Sequence, residues 1–82
     1  TGATVDHDCS IGEFCHIAPG VSLAGAVNLG GEVFIGVGSN VIQCISIGDK
    51  STIGAGSTVL HNMPVNVTAV GTPAKVIKQH GS

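Results

Sequence analysis

Aliphatic residues fall at Val5, Ile11, Ile17, Leu23, Leu29, Ile35, Val41, Ile47, Ile53, Val59 and Val65, every sixth position without a slip. The residue after each is usually small, as at Gly12, Ala18, Ala24, Gly30, Gly36, Gly48 and Gly54. Two positions before each stands another small or apolar residue, such as Cys9, Cys15, Val21, Val27, Val33, Ser39, Ile45, Ser51, Ser57 and Met63. A helix cannot use this period. At about 100° per residue, six residues turn ~600°, and the apolar positions would point three ways around the rod. A strand can use it, because six is a multiple of two. Each hexapeptide therefore reads as a short strand followed by a turn that tolerates glycine.

Self-similarity at a fixed period marks a solenoid. Three hexapeptides close one triangular coil of about 18 residues, and successive coils stack ~4.8 Å apart through backbone hydrogen bonds. The expected fold is all-β, a parallel β-helix of about four such coils over residues 1–68, with ladders such as Val5, Leu23, Val41 and Val59 inside. Pro64 and Pro73 limit ladder bonding near the end. Residues 69–82 are expected to leave the last coil as a tail and pack beside it.

The coil length also predicts surface neighbours. Adding eighteen to His7 reaches Gly25, Gln43 and His61; adding it to Asp8 reaches Ala26, Cys44 and Asn62. From His16 the same step reaches Phe34, Thr52 and Val70. These columns are expected at or near turns, facing outward.

Composition narrows the function. The 82 residues allow one domain, small enough to need a repeat architecture or a partner subunit. Charged residues are 10%, the net charge is −2, the cations are Lys50, Lys75 and Lys78, and the aromatics are Phe14 and Phe34. Nucleic acid, which wants basic stripes and stacking rings, is not an expected partner. No apolar run approaches the ~18 residues of a membrane span, and no secretory signal is visible. The three cysteines show no C-x-x-C spacing, so a disulfide framework is not expected and a reducing cytoplasm is the default compartment. Cys9 and Cys15 take inward positions as small hydrophobes, whereas Cys44 faces outward.

The repeat resembles that of the hexapeptide-repeat acyltransferases, and a left-handed coil is implied by that resemblance alone. Two segments sharpen it. Val5-Asp6-His7-Asp8-Cys9-Ser10-Ile11-Gly12 and Phe14-Cys15-His16-Ile17-Ala18-Pro19-Gly20 resemble the sialic-acid O-acetyltransferase and bacillosamine-pathway sugar N-acetyltransferase subfamily. Val70-Gly71-Thr72-Pro73-Ala74-Lys75-Val76-Ile77 resembles the tail of many acyltransferases of this fold. The resemblance implies transfer of acetyl from acetyl-CoA to an amino or hydroxyl group of a sugar, often nucleotide-linked. It makes His7 the general base and Asp8 the acid that raises its basicity. It places His16 against acetyl-CoA, Gly25, Val37 and Ala55 along the acetyl-CoA groove through their backbone, and Lys75 near a CoA phosphate. It also implies a homotrimer with acetyl-CoA between adjacent subunits.

The chemistry is coherent. Attack on a thioester needs a base, and a histidine near its ordinary pKa of ~6.5 serves at neutral pH. A carboxylate beside it fixes the tautomer and stabilises the imidazolium. A backbone N–H, as at Gly25, can meet the developing oxyanion. Plainer readings stand beside these: His7, Asp8, His16 and His61 as surface polar residues, and Phe34 as packing at a coil edge or subunit contact. His7, His16 and His61 lack the spacing of a three-histidine zinc site, so no metal is expected. Members of the subfamily also carry an N-terminal nucleotide-sugar-binding α/β domain that has no counterpart in these residues. A second reading is therefore a non-catalytic trimeric scaffold.

Overall fold

The computed structural model describes residues 4, 5 and 8–80. The described chain is all-β, without a helix. The hexapeptides form two-residue strands: β1 (Thr4–Val5), β2 (Ser10–Ile11), β3 (His16–Ile17), β4 (Ser22–Leu23), β5 (Asn28–Leu29), β6 (Phe34–Ile35), β7 (Asn40–Val41), β8 (Ser46–Ile47), β9 (Thr52–Ile53) and β10 (Thr58–Val59). Two longer strands follow, β11 (Val67–Val70) and β12 (Lys75–Gln79).

Three parallel sheets make the three faces of a prism. The first runs β1-β4-β7-β10, the second β2-β5-β8 and the third β12-β11-β9-β6-β3, with β12 antiparallel to β11. Register is eighteen throughout the first coils: Val5 lies on Leu23, Leu23 on Val41 and Val41 on Val59. Leu23, Leu29, Val41, Ile47 and the fully enclosed Ile35, Ile53 and Val59 fill the core. In the first coil Val5 is 39% exposed, whereas Leu23 directly beneath it is 2% exposed. The core thus closes from the second coil onward.

The inward polar positions are satisfied by one recurring device. Ser39 Oγ donates to the carbonyl of Gly54 at 2.9 Å and Ser51 Oγ to that of Pro64 at 2.7 Å. Cys9 and Cys15 do the same with their thiols, to Ala24 at 3.1 Å and Gly30 at 3.0 Å, besides packing half-buried on the core. No buried side-chain nitrogen or oxygen among the described residues lacks a partner.

Each corner turns through a left-handed residue whose N–H reaches back to the preceding coil. Glu32 bonds Glu13, Lys50 bonds Gly31, Cys44 bonds Gly25 and Gly56 bonds Val37, all at 2.8–3.0 Å. The corner between the third and first faces uses glycine each time, at Gly20, Gly38 and Gly56, where φ is 77°, 71° and 69°. The other two corners accept Phe14, Ala26, Glu32, Cys44 and Lys50 in the same conformation.

The end departs from the repeat. Val65 is 55% exposed and does not continue the core ladder; Met63 bridges Ile47 in its place. Asn62 Oδ1 accepts the Ser46 N–H at 2.8 Å, a donor whose equivalents at Ser10 and Asn28 bond main-chain carbonyls. The last coil is thereby shortened by two residues. Thr68 and Ala69 consequently pair with Thr52 and Ile53. The column beneath His16 runs through Thr52 to Thr68, not to Val70. Three coils and a shortened fourth make up the expected count of about four, the shortening being the one departure from eighteen.

Candidate functional site

The corner between the first and second faces carries Asp8, Gly25, Ala26, Gln43, Cys44 and His61. Asp8 is exposed in its turn. The Gly25 carbonyl accepts the Cys44 N–H at 3.0 Å, which fixes this corner's backbone between coils. His7 lies outside the described residues.

The third face and the corner after it carry the remaining candidates. His16 sits in β3 rather than in a turn, with its side chain exposed on the outer surface. Its register partner is Phe34, and the two rings stack 5.0 Å apart with planes 3° from parallel. Val37 and Ala55 follow β6 and β9 at the corner between the third and first faces, both exposed. Gly36 lies so close to the coil below that a Cβ there would sit 2.6 Å from the Ala55 nitrogen. The backbone at Ala55 is therefore held tightly by the preceding coil. Lys75 opens β12, paired with Val70 and exposed on the same sheet.

The fold therefore sorts the candidates into two groups. Asp8 and Gly25 share one corner; His16, Val37, Ala55 and Lys75 share the third face and its far corner. The first face separates the corners, and its width of about five extended residues is roughly 15 Å. One chain does not bring the groups together. A base and a thioester must approach to within hydrogen-bonding and bonding reach.

Among the described residues no group of three or more His, Cys, Asp or Glu is placed to hold a metal ion. His61 is exposed, and His80 Nε2 lies 3.0 Å from Thr68 Oγ1. The sequence reads Phe34 as packing at a coil edge or subunit contact, and its eighteen-residue column sets it on His16; the structure stacks the two rings.

No protein-family model matches the chain. The chain is 34% identical over 88 residues to serine acetyltransferase from Staphylococcus epidermidis, covering 98% of this chain and 41% of that protein. Among solved structures, a histidine-to-asparagine variant of perosamine N-acetyltransferase from Caulobacter crescentus, in complex with CoA and GDP-perosamine, is 45% identical with a TM-score of 0.93. That match covers 95% of this chain and 37% of the other. Serine acetyltransferase from Brucella abortus in complex with coenzyme A is 34% identical with a TM-score of 0.93, over 99% of this chain and 36% of the other. The chain is thus homologous to acetyltransferases and spans about two fifths of the length of the relatives it matches.

Proposed function

We propose that the chain is the β-helix part of an acetyl-CoA-dependent acetyltransferase acting on an amino or hydroxyl group of a nucleotide-linked sugar. The observation that carries this reading is the likeness to perosamine N-acetyltransferase, at 38–46% identity over 93–95% of the chain, against 30–34% for the serine enzymes. In this reading His7 takes the proton from the attacking amine or hydroxyl. The nucleophile bonds to the thioester carbon, the C–S bond breaks, and the proton passes to the departing thiolate. Asp8 holds the His7 tautomer and stabilises the imidazolium. A backbone N–H near Gly25 meets the oxyanion. His16, Val37 and Ala55 line the path of acetyl-CoA, and Lys75 meets a CoA phosphate. Because the two groups of residues occupy different corners, the site is completed between adjacent copies in a homotrimer. No metal takes part.

The test is thiol release from acetyl-CoA with a panel of nucleotide-linked amino sugars and with L-serine, using the chain and its His7→Ala variant. Sugar-dependent release that disappears in the variant supports the reading. Release with serine alone overturns the acceptor, and equal rates in both proteins remove His7 from the mechanism. Absence of acetyl-CoA binding at millimolar concentration favours the trimeric scaffold instead.

A further inference from the structure

We infer that Phe34 is a positioning residue for acetyl-CoA, acting through the ring of His16; this rests on the acetyl-CoA reading given above. The two residues are register partners in adjacent strands, so their side chains leave the third face side by side. Their rings lie 5.0 Å apart and within 3° of parallel. An exposed histidine on a flat sheet ordinarily samples several rotamers, and ordering it on ligand binding costs conformational entropy. The Phe34 ring lies along one face of the imidazole and restricts that freedom before any ligand arrives. What remains presented is the ring edge, with its nitrogens, and the opposite face.

Burial within the chain does not explain Phe34. It is 42% exposed on the outer surface, whereas Ile35 beside it fills the core. The next member of the column, Thr52, carries no ring to extend the stack. The stack is thus confined to the one pair that contains a candidate acetyl-CoA residue. Val37, three residues after Phe34, lies at the corner where the cofactor groove is proposed. The geometry gives a rigid imidazole edge beside that groove, suited to donating to a thioester or pantetheine carbonyl.

The experiment compares Phe34→Leu, which keeps an apolar side chain without a ring, with Phe34→Tyr, which keeps the ring. Binding of acetyl-CoA is measured by calorimetry, steady-state kinetics with the accepted sugar, oligomeric state by light scattering, and the His16 ring protons by NMR, assigned with His16→Gln. In Phe34→Leu, the dissociation constant and KM for acetyl-CoA are expected to rise about 3–10-fold, the value of an aromatic pair, with kcat within about twofold. The His16 ring signals should move as the ring current is lost. Phe34→Tyr should restore both. Binding undiminished in Phe34→Leu overturns the inference while leaving the acetyl-CoA reading intact. Dissociation of the Phe34→Leu oligomer overturns it in favour of a packing role. Failure of the unsubstituted chain to bind acetyl-CoA overturns the acetyl-CoA reading itself, and the inference with it.

Discussion

Ile47 bridges Met63, sixteen residues further along, and Met63 is 6% exposed while Val65 is 55% exposed. The floor of the core therefore rests on Met63. Truncating a buried methionine leaves a cavity, so Met63→Ala is expected to cost about 2–4 kcal/mol, whereas Val65→Ala should stay within ~0.5 kcal/mol. Asn62→Ala removes the acceptor of the Ser46 N–H and should cost roughly 0.5–1.5 kcal/mol. Chemical denaturation of the three variants checks the order. Equal losses at Met63 and Val65 would mean that both sit in the ladder.

The two-residue shortening explains what the sequence could and could not reveal. The six-residue period depends on strand alternation, and a shift of two residues keeps every side chain on its own side. Met63 and Val65 are both apolar and of the same parity, so either can close the ladder under Ile47. The same holds for Thr68 and Val70 beneath Thr52. The pattern therefore predicts the coils and the core through Val59 from residue identity, and is blind to the length of the loop at 60–62. The column His16–Phe34 was legible because it lies before the shift. The orientation of the His16 and Phe34 rings was not, since the period places backbones and leaves rotamers open.

Two neighbouring glycines should behave differently. A Cβ at Gly36 would lie 2.6 Å from the Ala55 nitrogen and 2.8 Å from its Cα, both backbone. Gly38 has open space around it, and its φ of 71° is the only obstacle. Gly36→Ala must push apart two coils and should cost about 2–3 kcal/mol. Because it displaces Ala55, it should also weaken acetyl-CoA binding. Gly38→Asn, a residue that accepts the left-handed region, should stay within ~1 kcal/mol of the original. Thermal unfolding with and without acetyl-CoA separates the two. A Gly36→Ala protein as stable as Gly38→Asn would contradict the close approach of the coils.

The thiols of Cys9 and Cys15 make the same inward bond to a carbonyl that Ser39 and Ser51 make with hydroxyls. Position, more than hydrophobicity, decides what these side chains do. Cys9→Ser and Cys15→Ser should therefore fold with losses under ~1 kcal/mol. Ser39→Ala, which leaves the Gly54 carbonyl without this donor in a fully buried place, should cost about 1–2 kcal/mol. Urea midpoints of the three variants at constant m-value provide the comparison. A larger loss for the cysteine variants than for Ser39→Ala would show that the sulfur volume outweighs the bond.

The separation of the candidate residues onto two corners makes a quantitative prediction about mixed oligomers. His7→Ala removes the proposed base, which precedes Asp8 in the sequence. Ala55→Trp fills the acetyl-CoA path at the other, where Ala55 is exposed and its side chain can grow outward. Each variant alone should be inactive in thiol release. When the two are unfolded together and refolded in equal amounts, each site of the proposed homotrimer would draw one corner from one copy and one from its neighbour. About a quarter of sites then combine two intact corners, so about a quarter of the original rate should return, which follows from random assembly into a closed ring. Mixing without unfolding should return nothing until subunits exchange. A site built within one chain gives no recovery under either protocol, because every chain in the mixture carries one damaged corner. Refolded mixtures that stay inactive while both variants assemble and Phe34 remains intact would place the whole reaction on a single prism, against the roughly 15 Å that separates its corners.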